Sequence, residues 1–180
     1  MNKTKDLVLC GMFAALMAAV SQLSIPMPSG MPITIQVFGV ALIGAVLGWR
    51  LGFMTLTVYV LIGAVGLPVF ANFGGGLSRL VGITGGYLWS YPFMAALCGI
   101  RPQTGKQKAD LALSVLFALC GLAVSEIIGG LQWAALSGGA MTVKAVFAYA
   151  AVAFIPKDAA LTVLAVFVAG SVRKLIQTNN

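Results

Sequence analysis

From Leu111 to Leu136 a single charged side chain, Glu126, interrupts an apolar run long enough to cross a bilayer, whose hydrocarbon core takes about 20 such residues as a helix. The pattern recurs at 6–24, 33–48, 52–67, 84–100 and 144–175. Only lipid accommodates such a chain: of its 180 residues, 60% are hydrophobic and 8% charged, against about 25% charged in a soluble domain. One all-α membrane domain over residues 1–180 is expected, with six transmembrane helices. Pro26 and Pro28 close the first run, and a corner at Gly48–Gly52 divides the second from the third. The last run is too long for one straight span at 1.5 Å per residue. Pro156 within it predicts a kink or a fresh helix start.

The first run follows Lys3 and Lys5, as in a signal peptide, but it extends from Leu7 to Leu23. That is long for a signal core, and a retained spanning helix is expected.

Net charge is +7, but the cations are too scattered for a nucleic-acid surface. With the N-terminus cytoplasmic, the inner side carries Lys3, Lys5, Arg50, Arg101, Lys106, Lys108, Arg173 and Lys174, and the outer side Arg79 and Lys144. This obeys the positive-inside rule with both termini cytoplasmic. There is no histidine, and Cys10, Cys98 and Cys120 lie far apart, so neither a metal site nor a disulfide framework is expected. Residues 99–107 approach a P-loop, but five residues separate Gly99 from Gly105 and Gln107 replaces the Ser or Thr. Any ATP energy must come from a partner.

Residues 66–87, GLPVFANFGGGLSRLVGITGGY, fit no ordinary segment. They hold seven of the 22 glycines and one cation, Arg79. They are too apolar for a water-facing loop and too rich in Gly and Pro for a helix. Irregular backbone at membrane depth survives where it is buried in protein or lines a cavity. An irregular Gly-rich outer loop between the third and fourth helices is therefore expected, with Asn72, Arg79, Thr84 and Tyr87 as candidate ligand contacts. Its glycines allow 68–84 to close over a ligand.

Glu126, Lys157 and Asp158 lie inside apolar runs, where ionisable groups are costly and functional by default. Asp158 follows Pro156 near a helix start, as a cap or as an acceptor for ligand N–H groups. Lys157 either snorkels to headgroups or joins it. For Glu126 an interhelical pair with Lys157 or Arg79 is the first reading, and a ligand contact or proton site the second. Arg79 meets headgroups or a carboxylate. Tyr87, Trp89 and Tyr91 suit an interfacial belt as well as a pocket. Trp133 shares the helical face of Glu126 and either stacks on a ligand or anchors the interface. Thr34 and Gln36 cap the second helix or face the same cavity. In the first helix Ala14/Ala18 and Ala15/Ala19 form small-xxx-small pairs that permit close helix packing, within the chain or with a partner subunit.

The runs PITIQVFGVALIGAVLGWRLG at 32–52 and GLPVFANFGGGLSRLVGITGGYLW at 66–89, with Pro-x-Asp at 156–158, resemble the BioY family, biotin-specific S components of energy-coupling factor transporters. The resemblance implies a six-helix membrane subunit that takes biotin from outside. Its implied partners are a transmembrane coupling subunit and two cytoplasmic ATPases, with Ala14, Ala15, Ala18 and Ala19 as docking face. With biotin as the ligand, Asp158 is expected to accept from the ureido N–H groups with Lys157 close by and Arg79 or loop N–H groups to meet the carboxylate, the reversed orientation being the alternative. The family pattern has Gly before the acidic residue and Lys three residues after it. Here Lys157 and Leu161 hold those positions, which leaves open whether Lys157 does that lysine's work. The rival expectations are an S component for thiamin or riboflavin, a small intramembrane enzyme pairing Asp158 with Glu126, and a membrane scaffold.

Overall fold

The computed structural model describes residues 3–25, 32–139 and 142–178, the last five of these by backbone alone. Pro26 and Pro28 lie outside the described residues. Eight α-helices appear among those described: α1 Lys3–Ser21, α2 Gln36–Leu47, α3 Trp49–Ala64, α4 Leu77–Val81, α5 Gly85–Cys98, α6 Gln107–Leu136, α7 Val143–Ala153 and α8 Ile155–Thr178. The two-residue strands β1 (Ser24–Ile25) and β2 (Ile33–Thr34) pair antiparallel, Ser24 opposite Thr34.

The helix ends differ from the apolar runs for local reasons. Ser21 Oγ donates to Met17 O at 2.8 Å and Gln22 Nε2 to Ala18 O at 3.0 Å. These side chains satisfy the last carbonyls of α1, and the next residues pair as β1. Likewise β2 takes Ile33 and Thr34, so α2 starts at Gln36. The expected corner contracts to Gly48, whose φ of 86° suits glycine. A Cβ on Gly44 would lie 2.9 Å from Ala95 Cα, so α2 and α5 cross with almost no separation. The last run breaks at Phe154, with φ −114°, and Pro156 falls in the first turn of α8. This is the fresh start the proline predicts, and it sets α7 apart as its own helix.

α5 packs along α6 and against α2 and α3; α8 packs on α2 and α6, α1 on α3 and α2, and α7 on α6 and α8. By length and composition α1, α6 and Ile155–Arg173 of α8 are long and apolar enough to cross a membrane, whereas α2, α3 and α7 are shorter apolar helices. The burial pattern is that of a protein in lipid. Leu7, Met12, Met54, Leu116, Ile127 and Phe167 face outward, whereas Ser21, Gln36, Ser90, Ser125, Glu126 and Asp158 are buried. The polar groups pair with one another: Ser90 Oγ and Ser125 Oγ sit 2.6 Å apart and join α5 to α6.

Candidate ligand-binding cavity

A cavity of about 240 Å³ opens between α2, α5, α6, α8 and the segment that joins α3 to α5. Pockets for small molecules typically measure about 300–1,000 Å³, so this one fits a small ligand.

Its α2–α5 wall is held by a buried hydrogen-bond chain. Tyr91 OH donates to Gln36 Oε1 at 3.2 Å, and Gln36 Nε2 donates to Ser21 Oγ at 3.1 Å. Tyr59 OH lies 2.7 Å from Ser21 Oγ and 3.1 Å from Val69 O. Four helices and the α3–α5 segment are thereby locked around Gln36, which is 5% exposed. The Phe70 ring, 2% exposed, packs edge-on against Tyr59 at 5.6 Å and lines the cavity.

The first turn of α8 brings charge. Pro156 starts the helix, and the two following side chains form an ion pair, Lys157 Nζ with Asp158 Oδ1. Lys157 Nζ also donates to Thr34 O at 2.8 Å, which ties α8 to β2. The Asp158 side chain is 6% exposed and that of Lys157 30%. Among the described residues no backbone N–H of α8 bonds the Asp158 carboxylate, so it does not act as a cap there. Its Oδ2 has no hydrogen-bond partner among them and remains available as an acceptor.

Glu126 enters from α6. It is 6% exposed and lines the cavity. Its hydrogen-bond partner is Tyr87 OH at 3.4 Å. The expected ion pair with Lys157 or Arg79 is not formed; among the described residues Lys157–Asp158 is the ion pair present.

The α3–α5 segment supplies the remaining wall and is less loose than its glycines suggest. It contains the 3-10 turn Ala71–Phe73 and the short α4. Gln22, just past the end of α1, grips it, donating to Phe70 O at 3.2 Å and accepting from Phe73 N at 2.9 Å. Gln132 grips it from α6, donating to Leu80 O at 3.0 Å and Gly82 O at 2.8 Å. Asn72 and Phe73 are left-handed, with φ of 55° and 53°, a conformation that non-glycine residues hold only when their surroundings impose it. Asn72 Oδ1 accepts from Ser24 Oγ at 2.8 Å. Arg79 is exposed on its outer side, borders the cavity and forms no ion pair among the described residues.

Seven of the eight candidate ligand contacts therefore share one cavity: Gln36, Asn72, Arg79, Thr84, Tyr87, Lys157 and Asp158. Trp133 does not line it. Its ring, 2% exposed, packs at 5.8 Å from Tyr149 and 6.4 Å from Phe154, and Phe154 presents the aromatic surface instead. Glu126 and Tyr91, for which a pocket role is the alternative reading, also line the wall, as does Phe70, which the sequence does not single out. Tyr91 lies four residues after Tyr87 and so on the same helical face. Phe70 and Phe154 carry no such signal. On α1, Ala14 is buried and Ala18 packs against the core, while Ala15 and Ala19 face outward.

The family model described as the BioY family matches residues 1–178. The chain is 38% identical over 136 residues to the probable biotin transporter BioY of Pyrococcus horikoshii, covering 76% of this chain and 78% of that one. It is 39% identical over 125 residues to the biotin transporter BioY of Thermotoga maritima, covering 69% and 72%. Among solved structures, the S-component for biotin from an ECF-type ABC transporter matches with a TM-score of 0.81 over 97% of this chain and 94% of that one, at 24% identity, a likeness of fold.

Proposed function

The chain belongs to the BioY family, and from that membership we infer that it is a multi-pass membrane protein that binds biotin as the S component of an energy-coupling factor transporter. The observation that carries the reading within the molecule is the half-buried Lys157–Asp158 ion pair opening on a cavity of about 240 Å³. Biotin offers a cyclic urea with N–H donors and a carbonyl, a thioether ring and a valerate carboxylate. Asp158 accepts from the urea. Lys157 holds Asp158 and donates to the urea oxygen. Phe70, Tyr91 and Phe154 cover the bicycle, and Arg79 with Asn72 meets the carboxylate from the α3–α5 segment.

Transport requires partners that supply ATP energy: a transmembrane coupling subunit and two cytoplasmic ATPases, with the outward Ala15 and Ala19 of α1 as the close-packing face. Both termini lie in the cytoplasm, in the cell membrane. Arg101 Nη2 donates to Val46 O at 2.6 Å, so the α5–α6 linker and the Gly48 corner share one end of the bundle. The Arg173 charge also acts on Arg101 there. This cationic end supports the orientation.

Labelled biotin should bind the purified chain saturably in detergent and be displaced by unlabelled biotin but not by thiamin or riboflavin. Saturable binding of labelled thiamin or riboflavin by a folded chain that binds no biotin would transfer the site to another ligand.

A further inference from the structure

Glu126 has no role in the contacts just described, yet it occupies a costly position. It interrupts the apolar α6 run, is 6% exposed and borders the cavity. At 3.4 Å its bond from Tyr87 OH is long. A carboxylate has room for about four hydrogen bonds. Oε1 makes none among the described residues, and it is not one of the polar atoms sealed away without a partner, which are Thr55 Oγ1 and Thr162 Oγ1. It therefore opens to the cavity. The charged groups that share this space are Asp158, Lys157 and Arg79. Lys157 is committed to Asp158 and Thr34 O, and among the described residues Arg79 forms no ion pair. Apart from the long Tyr87 bond to Oε2, nothing described in the protein satisfies Glu126, and in a membrane interior that calls for a partner from the cavity.

The chemistry of a cyclic urea supplies one. In a five-membered ring the two N–H bonds flank the carbonyl and diverge. One carboxylate cannot accept from both, as it can from a guanidinium fork. A urea read by Asp158 alone leaves its second N–H buried and unpaired, which is unfavourable. We propose that Glu126, oriented by Tyr87, accepts the second urea N–H, so that α6 and α8 each supply one carboxylate to opposite flanks of the same ring. Lys157 then faces the urea oxygen between them. This rests on the biotin reading and makes Glu126 a specificity residue of that site.

The test measures binding of biotin and of its two mono-N-methyl urea derivatives to the wild-type chain, Glu126→Ala and Tyr87→Phe, with a thermal melt to establish folding. The wild-type chain should discriminate against both methylated derivatives. Glu126→Ala removes the acceptor and leaves room for a methyl group. It should weaken biotin binding about tenfold, the scale of one lost hydrogen bond, and should lose discrimination against one derivative while keeping it against the other. Tyr87→Phe should shift the same ratio part of the way, and serves alone if Glu126→Ala does not fold. Wild-type discrimination against both derivatives retained in the variants would overturn the role of Glu126 while leaving biotin binding intact. A wild-type chain that does not bind biotin would overturn both readings.

Discussion

Asp158→Asn removes one negative charge from a side chain that is 6% exposed and holds Lys157. Two effects follow and separate in experiment. The first is on the ligand: a hydrogen bond to a charged acceptor contributes about 1.5–3 kcal/mol, so its loss should weaken biotin binding by about 10- to 150-fold. The second is on the fold. Removing one partner of a fully buried ion pair costs about 3–5 kcal/mol, but Lys157 is 30% exposed and keeps Thr34 O at 2.8 Å. The ammonium left behind is thus partly solvated, and the cost falls below that range. The reverse substitution, Lys157→Met, strands the more deeply buried carboxylate and should lower the melting temperature more than Asp158→Asn does. Isothermal titration in detergent reads the first effect and a thermal melt the second. A folded Asp158→Asn chain with unchanged biotin affinity would refute the assignment of Asp158.

Three further outcomes follow from the packing. Gly44→Leu places side-chain atoms where even a Cβ would lie 2.9 Å from Ala95 Cα; overpacking of this kind costs about 1–3 kcal/mol or more, visible as a lowered melt or lost expression. Ala15→Leu and Ala19→Leu, both outward, should leave biotin binding unchanged and reduce co-purification with the coupling subunit, whereas Ala14→Leu, 6% exposed, should destabilise the chain itself; equal co-purification of the outward variants would remove α1 as the docking face. Biotin should slow proteolysis or spin-label motion across 68–84, and Gln132→Ala, which cuts two tethers to that segment, should raise its mobility in the free protein; mobility that ignores biotin would show that the segment is a fixed wall.

Much of the fold is legible because lipid imposes a coarse rule. Apolar runs of sufficient length become helices, and Pro156 and Gly48 mark breaks through φ restriction and φ freedom. The rule fails at helix ends. The first run extends to residue 24 and the second begins at 33, yet side-chain bonds from Ser21 and Gln22 and the β1–β2 pairing decide where the helices stop and start. Such competition between local hydrogen bonds leaves no trace in a hydropathy pattern. Hydropathy is equally silent on the break between α7 and α8 at Phe154, which Pro156 alone announces.

At the site, legibility followed charge. Lys157 and Asp158 are conspicuous because membrane interiors exclude such groups, Arg79 because it is the lone cation of the Gly-rich segment, and the cavity gathers all three. Glu126 was equally conspicuous, but electroneutral pairing pointed to a cation as its partner, whereas the fold gives Lys157 to its own neighbour Asp158. Adjacent residues on a helix ordinarily point in different directions; Lys157 reaches back because α8 begins there and Thr34 O accepts its ammonium. That one local pairing leaves a second buried carboxylate without a cation, facing the same space as the first. A cavity lined by two carboxylates and the ammonium that pairs with one of them is matched by a ligand with two divergent donors around one acceptor, a description that a cyclic urea satisfies and a lone cation does not.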